Sequence, residues 1–218
     1  MTALVLLLVA WGARAETVVF DGGVFTDIAG VASDGDPINP AGIGQKVSDD
    51  FQVGIESRTV TDVEWTGLYG ALGQAALAHS ATPDDDFTIA FYDDADGVPG
   101  RVLSKFQPGK VARVLRDDGS WSYRYKLPTP IKFNPGCVYH IAIVNSIPGD
   151  AYWCWSQNAG GTNHSAPTGS SEWIRWPGDC AFRLTYTAPS PVQASTSLPL
   201  LIVGLVSAGI LGFRRYIL

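Results

Sequence analysis

A chain of 218 residues has room for one ordinary domain with a proper core, and not for two large ones. Its 24 Gly and 14 Pro, beside a single Met, favour turns and strands over helices. The formal charge of −6 is unevenly placed: without Arg14, Arg214 and Arg215 of the terminal segments, 12 Lys and Arg stand against 21 Asp and Glu, a formal −9 that repels phosphate backbones and excludes nucleic acid as a partner.

The N-terminal segment opens with a compact apolar run, Leu4 to Trp11, followed by Ala13-Arg14-Ala15. Small residues at Ala13 and Ala15 fit a signal-peptidase pocket, so residues 1–15 read as a signal peptide and the mature chain as starting at Glu16. No Lys or Arg precedes the run. The competing reading is a buried N-terminal strand or helix.

From residue 16 to 188 the pattern is period-2 alternation broken by turn residues, which predicts an all-β ectodomain. Thr17–Phe20 and Phe51–Val53 are short candidate strands, and Val63, Trp65 and Tyr69 line one side of a longer one. Residues 70–79 could form one or two helical turns, with Gly73 against it. Phe87, Ile89 and Phe91 share a face. Arg101–Phe106, Lys110–Leu115, Trp121–Lys126 and Ile131–Phe133 follow. Val138–Val144 is apolar almost throughout, as a strand covered on both faces would be. Tyr152–Trp155 is expected to fold back on it across Ile147-Pro148-Gly149-Asp150, and Phe182–Tyr186 closes the set. About ten strands suffice for two packed sheets, so the expected architecture is a β-sandwich or jelly roll.

Three cysteines, Cys137, Cys154 and Cys180, cannot all pair within one chain, and no CxxC spacing suggests zinc or redox chemistry. In an oxidising compartment one bridge with one thiol over is expected. The hairpin just described puts Cys154 opposite Ala142 and far from Cys137, which leaves Cys154–Cys180 as the pair.

Catalytic signatures are missing: there is no HExxH, GxSxG or Walker loop, and His79, His140 and His164 are scattered. Four Glu and an Asp set gathered in turn-like clusters do not suggest a glycosidase pair. His140, inside an apolar strand, reads as a structural residue. Asp84-Asp85-Asp86 and Asp93, Asp94 and Asp96 concentrate hard oxygen donors of the kind calcium takes, without EF-hand spacing; the competing reading is a solvated acidic turn bent at Asp96-Gly97. Trp153, Trp155, Trp173 and Trp176, with Tyr152 and Arg175, form the candidate ligand face. Exposed indoles stack on sugar rings while Asn158, Asn163 and Arg175 could meet hydroxyls. The same Trp153/Trp155 alternation also fits half of a core.

Residues 189–197 form a polar spacer, and no charged residue occurs from Pro189 to Phe213. Leu198 to Phe213 gives about 24 Å of helix at 1.5 Å per residue, short for a ~30 Å bilayer core. Flanking residues or local thinning make up the difference. Arg214 and Arg215 follow at once, so by the positive-inside rule residues 198–218 form a transmembrane or sorting segment with the domain outside.

These parts resemble the PEP-CTERM type of sorting tail that exosortases recognise in many Gram-negative bacteria: the spacer Ser190–Ser197, the signature Leu198-Pro199-Leu200, the glycine-punctuated run to Phe213, and Arg214-Arg215. Pro-Glu-Pro is absent, so the signature is a variant. Asp49-Asp50-Phe51, Phe87 to Asp94, Gly97-Val98-Pro99-Gly100, Pro135-Gly136 and Asp179 with Ala181–Leu184 are similar to β-sandwich domains that accompany such tails. The resemblance implies a fold and an address: a secreted, membrane-anchored or released protein of the cell envelope or extracellular matrix. Its implied partners are the membrane and a sorting peptidase. A non-enzymatic surface protein without a resident cofactor is the leading expectation, a polysaccharide-binding module the alternative, and an envelope hydrolase the third.

Overall fold

The computed structural model describes residues 16–23, 30–35, 44–55, 58–71, 84–147 and 151–188. The expected signal peptide, residues 72–79 of the helical turn expected at 70–79, the bend at 148–150, and the tail with Leu198, Pro199, Arg214 and Arg215 lie outside the described residues, while Gly70 and Ala71 are extended at the end of a strand. The chain divides into two units, Met1–Ala188 and Pro189–Leu218. Among the described residues no helix is long and apolar enough to cross a membrane.

The first unit is all-β. In chain order its strands are β1 (Glu16–Asp21), β2 (Gly30–Ala32), β3 (Gln45–Gln52), β4 (Thr59–Ala71), β5 (Phe87–Ala95), β6 (Val98–Gly109), β7 (Arg113–Leu115), β8 (Trp121–Lys132), β9 (Val138–Asn145), β10 (Ala151–Pro167), β11 (Ile174–Cys180) and β12 (Phe182–Thr187). They form one antiparallel sheet with the main path β1-β12-β4-β10-β3-β9-β5-β6; β8 adds to β4, β7 to β8, and β2 and β11 to β10. The sheet curls on itself because β10 serves both halves. Ala151–Trp155 pairs with β4, while Asn163–Pro167 pairs with β3. Between them the β10–β11 register slips, at Gly160 and Gly161 with φ of 113° and 52°. Positive φ at two successive positions suits glycine, and the slip bends the strand from one half to the other.

The alternation read from the sequence is realised where one face meets the core. Val63, Trp65 and Tyr69 point inward from β4, and Phe87, Ile89 and Phe91 from β5. The two halves meet through aromatic contacts: the Phe87 ring lies 5.2 Å from Trp65, 4.9 Å from Tyr123 and 5.2 Å from Trp153. Offset and edge-to-face rings at such distances add about 0.5–1.5 kcal/mol per pair beyond the area they bury. Gly67 makes one of these contacts possible, since a Cβ there would stand 2.3 Å from the Trp153 ring.

Two expectations are corrected. Trp121–Lys126 and Ile131–Phe133 are not separate strands; β8 runs from the first into the second, ending at Lys132, and passes Pro128 and Pro130 with a register break opposite Val60–Asp62. Nor do Val138–Val144 and Tyr152–Trp155 form a hairpin. β9 pairs with β3 and β5, and Ala142 stands opposite Ser48 and Ala90. The near-continuous apolar run marked β9 as central, and a central strand takes two partners that need not be its neighbours in sequence.

Candidate functional site

The second half of the sheet carries an unusual outer face. On β3, Val47 and Phe51 enter the main core, so Lys46, Ser48 and Asp50 project from the opposite side. By the same alternation β9 presents His140 and Ala142, and β5 presents Ala90, Tyr92 and Asp94. His164 on β10 is opposite Ser48, and Arg175 on β11 is opposite His164. The topology therefore aligns Arg175, His164, Ser48, Ala142 and Ala90 across five strands.

This face is covered. Ala90, Tyr92 and Ala142 form a small apolar cluster against which Trp173 packs, its ring 5.8 Å from Tyr92 in an edge contact. The Lys46 ammonium lies 4.5 Å from the Trp173 ring centre. Underneath, His140 and His164 are each 1% exposed and Ser48 is fully buried. The two imidazoles meet edge to face with centres 5.4 Å apart. His140 Nε2 is 2.8 Å from Asp94 Oδ1. Burial works against ionisation of Asp94, but the His140 hydrogen bond and the Gly97 N–H outweigh it and hold its carboxyl below the usual range. An ionised Asp94 makes His140 Nε2 the donor. Its Nδ1, both nitrogens of His164, and Ser48 Oγ then have no hydrogen-bond partner among the described residues. Burial lowers the pKa of His164, and His140 and Arg175 lower it further against the pull of Asp50 and of the Gly97 backbone. Both rings are shut from solvent, and Ser48 makes no hydrogen bond to either. These side chains are not set as a nucleophile and base.

Beside this face a cleft of about 350 Å³ is lined by Asp50, Gln52, Gly161, Thr162, Arg175 and Asp179, among others. Arg175 Nη2 donates to Thr162 Oγ1 at 3.1 Å. Asp49, also in the lining, is 2% exposed. It accepts the Cys180 N–H at 2.6 Å and the Asp50 N–H at 3.0 Å. Burial still raises its pKa well above the usual carboxylate range. Burial also raises Asp179, whose carboxylate occupies the space a Cβ at Gly161 would fill.

The aromatic set expected to form one ligand face is divided. Trp153 and Trp155 are fully buried, and Trp155 Nε1 donates to the Ala181 carbonyl at 3.1 Å. Their side chains belong to the core, which corrects their candidacy as a binding platform. Trp173 covers the histidine face. Trp176 is 50% exposed, with its Nε1 donating to Ser165 Oγ at 2.8 Å. Arg175, its neighbour on β11, projects from the other side and reaches the cleft.

The acidic residues are also separated. Asp93 Oδ1 accepts the Arg101 N–H at 2.5 Å, and its carboxylate pairs with the Arg101 guanidinium at 3.4 Å. Asp94 turns to His140 and, at 3.2 Å, to the Gly97 N–H. Asp96 and Gly97, with φ of 56° and 82°, make the two-residue turn between β5 and β6. Asp84 pairs with Lys110 at 2.5 Å. Asp85 is buried in a network with Tyr69, Asn145 (2.8 Å) and Arg113 (3.0 Å) that ties the two halves together. Among the described residues no group of three or more His, Cys, Asp or Glu is arranged to hold a metal ion.

All three cysteines are free thiols, and the expected Cys154–Cys180 bridge is not formed. Cys180 stands opposite Gln157, three positions along β10 from Cys154. That offset is roughly 10 Å of strand, against the ~7 Å limit on Cα separation for a disulfide. Burial pushes the Cys154 thiol up to about 12 and raises Cys180 well above the usual thiol value, which leaves both unreactive.

The outer face of the first half is an ion-pair ladder. Arg124 reaches Glu16 at 2.6 Å, Glu64 at 3.2 Å and Asp62 at 3.3 Å, and Arg183 reaches Glu64 at 2.5 Å. A groove of about 430 Å³ runs beside it, past Thr66, Ser122 and Arg116. His164 and Ser48 were missed by sequence reasoning, because only the order β10-β3-β9 brings them to His140. No protein-family model, curated protein or solved structure matches this chain.

Proposed function

We propose that this chain is an exported, non-enzymatic surface protein: a β-sandwich-like domain displayed outside the membrane and held or sorted by its C-terminal segment, in the manner of a PEP-CTERM protein. The reading rests first on one observation, the uncharged stretch from Pro189 to Phe213 ending in Arg214-Arg215 directly after the β domain. The fate of the polar side chains supports it. Asp93, Asp84, Glu64 and Asp62 are engaged in ion pairs, Asp94 in a hydrogen bond to His140 and Asp85 in a buried one to Asn145. On this reading the domain contributes a stable, acidic surface to the envelope or extracellular matrix.

The test is replacement of Arg214 and Arg215 by Ser, followed by fractionation and protease protection of the β domain. Loss of retention or of processing, with the domain still folded, is the expected result. A double variant retained, oriented and processed like the parent would remove the main support for a sorting tail.

A second reading, a polysaccharide-binding module on the same anchor, is favoured by β11 alone. That strand offers Trp176 and Ile174, 50% and 55% exposed, on one side and the Arg175–Thr162 cleft on the other. Binding of the full chain to insoluble polysaccharides, lost in Trp176→Ala, would select it. Equal retention of parent and variant would exclude this surface.

A further inference from the structure

We infer that His140 and His164 form an acid-sensitive latch beneath the outer face of the sheet: with His164 uncharged, Trp173 and the β5–β6 turn close over the pair, and protonation of His164 releases that cover. The geometry carries the inference. Two imidazoles at 1% exposure have centres 5.4 Å apart, and three of their four nitrogens lack a hydrogen-bond partner of ordinary geometry among the described residues, with the Gly97 backbone beside His164. A buried polar atom without a partner costs free energy, and a buried unpaired charge costs more. Asp94 bonds His140 and not His164, so a proton on His164 places a cation without a bonded carboxylate in a dry site.

The surroundings do not absorb that charge. Asp94 and Tyr92 face the pair from β5, Lys46 and Asp50 from β3, Arg175 from β11 and Lys105 from β6. Asp179 lies behind Asp50. Lys46, Lys105 and Arg175 thus stand against Asp50, Asp94 and Asp179, so the face is balanced while both rings are neutral. Protonation of His164 leaves it with one unopposed positive charge.

The cover is the part able to yield. The β5–β6 turn is held through Asp94 to His140 and lies with its Gly97 backbone against His164. Trp173 belongs to the β10–β11 connection and is only half-buried. Two lysines add to its exposure to charge: the Lys46 ammonium on its ring is already disfavoured by burial and by Lys105. Opening would expose Trp173, Tyr92, Ala90 and Ala142 as an apolar patch. The sign follows from His164: its folded pKa is lowered, so its contribution to stability is full above the unfolded value of 6.5 and is lost as pH falls through the folded value.

The experiment is acrylamide quenching of tryptophan fluorescence on the full chain between about pH 8 and 5, where histidine titrates. Subtracting the Trp173→Phe variant isolates the signal of Trp173. The expected result is loss of Trp173 protection on acidification in the parent and retained protection throughout in His164→Gln. Unchanged protection in the parent down to about pH 5, or the same transition in His164→Gln, would overturn the latch. So would zinc ions that raise the melting temperature and abolish the transition, since the pair would then be a metal site. Should His164→Gln fail to fold, ring NMR of the unaltered protein decides: the His164 imidazole must gain a proton together with loss of the Trp173–Tyr92 contact. Titration with that contact intact would contradict the inference.

Discussion

The residue scale separates side chains that build this domain from those that could serve a ligand. Trp153 is fully buried against Phe87 and Gly67, whereas Trp176 is half exposed at the sheet edge. Trp153→Ala is therefore expected to cost about 3–5 kcal/mol by denaturant unfolding, and Trp176→Ala no more than about 0.5 kcal/mol. Gly67→Ala should cost about 1–3 kcal/mol, because its Cβ would stand 2.3 Å from the Trp153 ring and force the core to shift. Asp49 gives a pH signature. Its pKa is 3.8 when unperturbed and raised in the fold by burial, so its stabilising contribution is full below 3.8 and lost as pH rises through the folded value. Asp49→Asn should remove that dependence, seen as a flatter profile of melting temperature against pH. An unaltered profile would mean that the two N–H bonds it accepts offset its burial. Period-2 spacing in the sequence placed Trp153 and Trp155 on the same side of a strand. It could not say whether that side met core or solvent, because the residues between and around them are apolar too.

Among the elements, the β5–β6 hairpin was the most legible from sequence. Alternating Phe87, Ile89 and Phe91 lead into Asp96-Gly97, a pair suited to the positive φ of 56° and 82° that a type I′ turn requires. Gly97→Val should destabilise the domain by more than about 1 kcal/mol, since a β-branched residue is strained at that φ, while Asp96→Asn should be tolerated. Unfolding midpoints of the two variants check both outcomes. β10 was the least legible. Its 17 residues pair with four different strands, and its change of partner occurs at a register slip rather than at a turn. The turn residues at Ile147–Asp150 suggest a β9–β10 hairpin, but β9 and β10 both run antiparallel to β3 and do not pair with each other, since turn composition does not fix a partner. The histidine face was hidden for the same reason. His140, Ser48 and His164 are far apart in sequence, and only non-local strand order makes them neighbours.

At the scale of the whole molecule, the charge pattern and the two apolar termini carry more about address than the fold does about activity. In the sequence the acidic stretch lies between an apolar run followed by Ala13-Arg14-Ala15 and an uncharged run followed by Arg214-Arg215. A curled all-β unit can host many activities, so its architecture alone assigns none. The most direct measurement is protease accessibility of the β domain in intact and osmotically opened cells expressing the full chain, combined with N-terminal sequencing of the envelope-fraction protein. Export and display require a domain cleaved without lysis of the inner membrane, on a chain that starts at Glu16. A domain protected until the inner membrane is broken, on a chain that still carries Leu4 to Trp11, would contradict them.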